Sequence, residues 1–138
     1  MKKLFVILFA ASLMLISVTG CSSSNVIKDL SETTGIEIRV YSMTDQTYED
    51  YVITETEAVR SIRDTFSTFK MKRISNDKPA MGLYELKFYK GNNRSAIDYV
   101  TVEPSGDAIS YKGSRYKITT EINIIDLLNN AVTAVAND

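Results

Sequence analysis

The sequence predicts an α+β fold: an antiparallel sheet of about five to six strands with two helices packed on one face. Three observations predict it. Apolar and charged residues alternate through Ile36-Glu37-Ile38-Arg39-Val40-Tyr41 and again through Tyr84-Glu85-Leu86-Lys87-Phe88, the period of a half-buried strand. Two other segments repeat apolar residues every three or four positions, Val59, Ile62, Phe66 and Phe69 in one and Ile122, Ile125, Leu128, Val132 and Val135 in the other, which marks one face of a helix. Between them, short runs of strand-forming residues are separated by turn residues, the pattern of an antiparallel meander.

Taken in order, Ile36 to Tyr41 is the first strand and Tyr51 to Ile53 a shorter second one, after the polar turn around Asp45 to Asp50. Thr54-Glu55-Thr56-Glu57 has the form of a capping box, so a helix is expected to open there, with Thr54 as its cap, and to end near Lys70. Lys78-Pro79-Ala80-Met81-Gly82 breaks the chain before the strand from Tyr84. Gly91-Asn92-Asn93, Pro104-Ser105-Gly106-Asp107 and Lys112-Gly113-Ser114 supply the turns between strands at Ala96 to Glu103, Ala108 to Tyr111 and Arg115 to Ile118. A second helix begins near Thr119-Thr120-Glu121 and carries the last apolar stripe.

At 138 residues the chain is long enough for one domain. Its 16 Lys and Arg nearly balance 17 Asp and Glu, so it lacks the basic surplus of a nucleic-acid binder, and no nucleic acid is expected as a partner. There is no His, and Cys21 is the single cysteine. Catalysis that needs imidazole, or a thiolate paired with it, has no residues here. No catalytic residue, metal ligand or cofactor is assigned.

The first twenty residues read as an address. Lys2-Lys3 precede an apolar run from Leu4 to Val18, and Thr19-Gly20 close it with small residues, as in a secretory signal. As a helix that run is about 22 Å long, short of the roughly 30 Å core that a lasting membrane span must cross. Val18-Thr19-Gly20-Cys21 then resembles the bacterial lipobox. The resemblance implies that Val18, Thr19 and Gly20 form the signal-peptidase recognition site, that cleavage follows Gly20, and that the Cys21 sulfur carries a diacylglyceryl group. Two acyl chains suffice for stable anchoring, so the expected location is the outer face of the cytoplasmic membrane. Residues 1–20 are then signal peptide, 21–34 a lipidated N-terminus and flexible tether, and 35–138 a single α+β domain. A tether of that length would reach about 20 Å.

Three clusters are candidates for function. Asp45, Glu49, Asp50, Glu55 and Glu57 lie close together in a stretch without Lys or Arg; a solvated acidic loop is favoured over a calcium site or an acid/base pair, because the EF-hand spacing is missing. Lys70, Lys72, Arg73 and Lys78 follow the first helix, either as an ordinary helix end favoured by the dipole or as a patch for anionic headgroups, wall polymer or an acidic partner. Tyr89, Tyr99, Tyr111 and Tyr116 fall on the meander, where cross-strand pairing would make an interaction surface. Packing into the sheet is the competing account, and a register slip of one residue exchanges the two.

The stretch from Leu83-Tyr84-Glu85-Leu86-Lys87-Phe88-Tyr89 through Tyr111-Lys112-Gly113-Ser114-Arg115-Tyr116-Lys117-Ile118 resembles small lipoproteins of Bacillus-like bacteria, the YhfM-like domain group, with a glycine turn, a Tyr-Lys strand and a final helix. That resemblance implies the fold and brings no activity. The expected function is a lipid-anchored extracytoplasmic binding module whose partner is a membrane or cell-wall protein. The alternatives are an exclusion or immunity lipoprotein of a mobile element, and a carboxylate-dependent enzyme acting on cell-wall polymer.

Overall fold

The computed structural model describes residues 23–27, 29–75 and 82–137. The signal segment, the lipobox residues Val18, Thr19 and Gly20, the acylation candidate Cys21, and Lys78 lie outside the described residues. Among those described, the chain forms β1 (Gly35–Ser42), β2 (Thr47–Ile53), α1 (Thr56–Thr68), β3 (Met71–Ser75), β4 (Tyr84–Lys90), β5 (Ser95–Val102), β6 (Ala108–Tyr111), β7 (Ser114–Ile118) and α2 (Ile124–Ala136). The strands make one antiparallel sheet in the order β2-β1-β4-β5-β6-β7-β3.

The class is as expected, but the sheet has seven strands rather than five or six. The added strand is β3, which the sequence reading absorbed into a basic helix end. Met71-Lys72-Arg73-Ile74-Ser75 shows no clean alternation, and its ladder forms with β7, some forty residues later, through Met71↔Ile118 and Lys72↔Lys117. Long-range pairing of this kind leaves no local trace. α1 therefore links the two edge strands, β2 and β3, across the sheet.

Register puts one apolar set on one face. Ile36, Ile38 and Val40 lie opposite Phe88, Leu86 and Tyr84, and Leu86 and Tyr84 lie opposite Val100 and Val102. Both helices cover this face: Phe66 of α1 packs edge-on against Phe88, and Asn129 of α2 accepts a hydrogen bond from the Tyr84 hydroxyl. At the β6–β7 turn, Lys112 and Gly113 take φ of 48° and 75°, the left-handed pair that matches the twist of a two-residue hairpin and that glycine adopts without strain.

The caps depart from expectation. Glu55, not Thr54, opens α1, its carboxylate accepting from the amides of Glu57 at 3.0 Å and Ala58 at 2.7 Å. A charged acceptor complements the positive end of the dipole better than a hydroxyl can. Those two backbone bonds, from Glu57 first and then Ala58, hold the Glu55 carboxyl below its usual pKa. A lowered carboxyl contributes stability above the ordinary carboxylate range and loses it as pH falls through the lowered value. Glu55→Gln removes that dependence, so its melting temperature is expected to fall less than the parent's between about pH 5 and about pH 3, as thermal melts at the two values would register.

α2 begins after its cap Asn123, whose side chain accepts from the Asp126 amide at 3.0 Å. Ile122 therefore precedes the helix and is exposed, and the buried line is Ile124, Leu128 and Ala131, with Ile125, Val132 and Val135 at its margin. Of the expected stripe, Leu128 is buried and Ile125, Val132 and Val135 pack at the edge of the core, while Ile122 falls outside the helix and Ile124 and Ala131 complete the buried line.

The segment expected to be a tether is packed from Ser24 onward. Ile27 and Leu30 are 0% and 1% exposed in the core cluster, and Thr33 is buried too. Ser24 forms an antiparallel bridge to Met71 on the outer side of β3, and the Asn25 side chain donates to the Ser67 carbonyl. The serines suggest slack, but the burial of two aliphatic side chains in the core outweighs local polarity.

Candidate functional site

With both helices on one face, no other described element covers the other side of β2, β1, β4 and β5. Its side chains are the charged members of the alternating strands: Glu37 and Arg39 from β1, Asp50 from β2, Glu85 and Lys87 from β4, joined by Arg94 from the β4–β5 turn. Antiparallel pairing sets Glu37 opposite Lys87 and Arg39 opposite both Glu85 and Asp50, so opposite charges meet across strands, which favours the pairing. Together with Tyr51, Val52 and Tyr99 they line a shallow concavity of about 350 Å³.

The electrostatics of this face are local and paired. Arg39 Nε lies 2.8 Å from Asp50 Oδ1, and Arg39 Nη1 lies 3.8 Å from Glu85 Oε2. Glu37 receives Lys87 Nζ at 3.0 Å on one carboxylate oxygen and Arg94 Nη1 at 3.2 Å on the other. The hydrogen bond from Arg39 holds the Asp50 carboxyl below its usual pKa and raises that of the guanidinium in turn. Aromatic rings floor the arrangement: Arg39 stands over Tyr48 at 5.7 Å, and Lys87 and Arg94 over Tyr89, each at 5.9 Å. The result is a surface of alternating sign held in fixed geometry, with three carboxylates and three cations engaged with one another.

The four tyrosines divide between the faces. Tyr99 stands on the open face, 60% exposed. Tyr89 is also on that side but lies flat and buried, its ring in the space that a Cβ on Gly35 would fill. Tyr111 belongs to the hydrophobic core and Tyr116 packs against it. The Tyr111 hydroxyl donates to Asp98 Oδ2 at 2.5 Å, and burial first, then this bond, pushes its pKa up. A continuous aromatic surface does not form, because Tyr111 and Tyr116 point to the helices while Tyr99 points away. Of the expected set, Tyr99 alone offers an accessible ring at the concavity.

The acidic cluster disperses. Asp45 bonds Ser42 within the β1–β2 turn, Glu49 accepts from the Tyr51 hydroxyl, Asp50 joins Arg39, Glu55 caps α1, and Glu57 pairs with Arg60. Among the described residues no group of three acidic, His or Cys side chains is placed to hold a metal ion. The basic cluster becomes strand rather than helix end, with Lys72 and Arg73 on β3 and Lys70 just before it, all exposed.

Reasoning from sequence missed Glu37, Arg39, Glu85, Lys87 and Arg94 as a unit. Their signal was visible in part, since the polar positions of both strongly alternating strands are all charged. What was missing was the β1–β4 register that sets them opposite one another. Among the described residues no helix is long and apolar enough to cross a membrane. No protein-family model matches the chain, and no curated protein and no solved structure matches it either.

Proposed function

We propose that the chain is a lipid-anchored interaction module on the outer face of the cytoplasmic membrane, held through a diacylglyceryl group on Cys21, and that its open sheet face takes a protein partner. The observation that carries the reading is the charge pattern of that face. An anionic polymer or a lipid surface is met by cations of one sign, whereas three carboxylates and three cations in alternation complement a partner that brings both signs. Proteins do this, and complementary patterning of this kind fixes register and excludes wrong partners more than it adds affinity. Tyr99 at the concavity adds an aromatic anchor with a polar tip, the residue type enriched where interfaces bury their energy. The apolar run before Val18-Thr19-Gly20-Cys21 supports export and anchoring.

The test uses the full-length protein in living cells. A photo-crosslinking residue replaces Tyr99 on the open face, and in a second strain Thr133 on the exposed side of α2. A partner captured from position 99, absent at 133, and reduced about tenfold when Glu85→Lys reverses one charge of the face, is the expected result; tenfold corresponds to about 1.4 kcal/mol, within the range for a charge at an interface rim. The same products from both positions, or capture untouched by the reversal, would refute this use of the face. Cys21→Ala is expected to release the protein into the medium.

A further inference from the structure

We propose that the β3 edge of the sheet is the surface that meets the membrane, with Lys70, Lys72 and Lys117 against the phosphates of anionic lipid and Ile74 entering the headgroup layer. The inference rests on Cys21 being the site of lipid attachment and adds how the domain stands on the bilayer.

The first support is where the slack ends. The Ser24 amide donates to the Met71 carbonyl at 3.1 Å, and the Met71 amide donates back to the Ser24 carbonyl at 3.0 Å. This pair fixes Ser24 to the outer side of β3, and Ile27 and Leu30 fix the residues behind it in the core. Two residues, Ser22 and Ser23, separate Ser24 from Cys21, and the three residue-to-residue steps span at most about 11 Å when fully extended. The acyl chains must therefore leave the protein beside this edge, and a pinned segment removes the freedom to turn another side downward.

The second support is what the edge carries. β3 and its neighbour β7 hold Lys72, Arg73, Arg115 and Lys117 and no carboxylate. Arg115 is taken up by Glu103, but Lys72 and Lys117 lie directly opposite one another in register and both are exposed. Like charges in that relation weaken a sheet, and an anionic surface offsets their repulsion. Asp107, whose carboxyl is held below its usual pKa first by the Ser105 hydrogen bond and then in part by Lys117, sits beyond the strand in the β5–β6 turn. Beside the lysines, Ile74 is 49% exposed, an apolar side chain at the depth where a headgroup layer would receive it. The attraction of such lysines to anionic lipid dies away within about 10 Å, close to the reach of that short link.

The orientation also places the charged face. Strands lie about 4.8 Å apart, so β5 is about 14 Å and β2 about 29 Å from β3 along the sheet. The concavity formed by β5, β4, β1 and β2 then stands clear of the lipid, open to a partner approaching from the side or from above.

The test uses the full-length lipidated protein in phosphatidylcholine vesicles containing phosphatidylglycerol. Because Cys21 is the single cysteine and is blocked by its acyl chains, one introduced cysteine takes a fluorophore alone, at Ile74→Cys or, on the far edge, at Thr47→Cys. Nitroxide-bearing lipid headgroups are expected to quench the label at position 74 several-fold more than at 47. Lys72→Glu with Lys117→Glu should at least halve the quenching at 74 while flotation with the vesicles is unchanged; Lys72→Gln with Lys117→Gln, which removes the repulsion without adding charge, should give a smaller loss in the same direction. Equal quenching at 74 and 47 in protein that still floats overturns the orientation and leaves the anchor standing. Protein that does not float removes the anchor and the orientation together.

Discussion

Phe66→Ala is expected to destabilise the protein by about 3–5 kcal/mol, the range for truncating a fully buried aromatic. Phe66 is 0% exposed and stands where α1 meets the sheet. Its ring lies edge-on to Phe69 at 5.2 Å and to Phe88 of β4 at 5.6 Å. Truncation removes the transfer energy of the ring and both aromatic contacts, and leaves a void bounded by sheet on one side, which has little freedom to collapse. With a urea slope of about 2 kcal/mol per M, typical for a domain of this size, the unfolding midpoint should drop by about 2 M. Phe66→Leu keeps apolar volume and loses the two ring pairs, each about 0.5–1.5 kcal/mol beyond area, so its midpoint should lie between those of the parent and the alanine variant. A midpoint for Phe66→Ala within about 0.3 M of the parent would mean that α1 does not pack on β4 through this residue.

The same contact shows what could be read before the fold was in hand. Val59, Ile62 and Phe66 recur at helical spacing, and Ile36, Ile38, Leu86 and Phe88 alternate at strand spacing, so the face that each buries follows from periodicity alone and is the face observed. Periodicity is a local property, whereas pairing is not. β3 escaped because its partner β7 is distant in sequence and because Lys72 and Arg73 read equally well as a solvated helix end. The tyrosines divided unpredictably for a related reason: Tyr99 and Tyr111 sit on different strands, and only the register between β5 and β6 tells which face each ring takes. The charged face was half visible, since alternation named its residues and the β1–β4 register was needed to bring Glu37 to Lys87 and Arg39 to Glu85. Glu55 displaced Thr54 as the α1 cap because a two-oxygen carboxylate can satisfy two orphan amides at once.

Ile27→Ala and Leu30→Ala are each expected to cost about 2–5 kcal/mol, although both lie in a stretch whose serines and threonines suggest a linker. A linker residue that touches nothing shifts stability by no more than about 0.5 kcal/mol, so the two accounts differ by several-fold and a single urea titration separates them. The reason to expect the large value is that both side chains lie in the same apolar cluster as Phe66, Phe88 and Met71, where each removed methyl leaves unfilled space. Loss of Ile27 should also loosen what precedes it: the Ser24 bridge to Met71 is a single pair of hydrogen bonds at an edge, too little to hold a chain in place without apolar contacts behind it. Hydrogen exchange at the Met71 amide, which donates to Ser24, should therefore accelerate in Ile27→Ala more than exchange at the central β1 and β4 amides, under conditions where the domain stays folded. On vesicles, the same substitution should lengthen the effective tether, so the label at position 74 loses quenching while the protein still floats. A domain that keeps its midpoint and its Met71 protection after Ile27→Ala would show that the segment is a linker after all, and the fixed distance between the lipid and β3 would go with it.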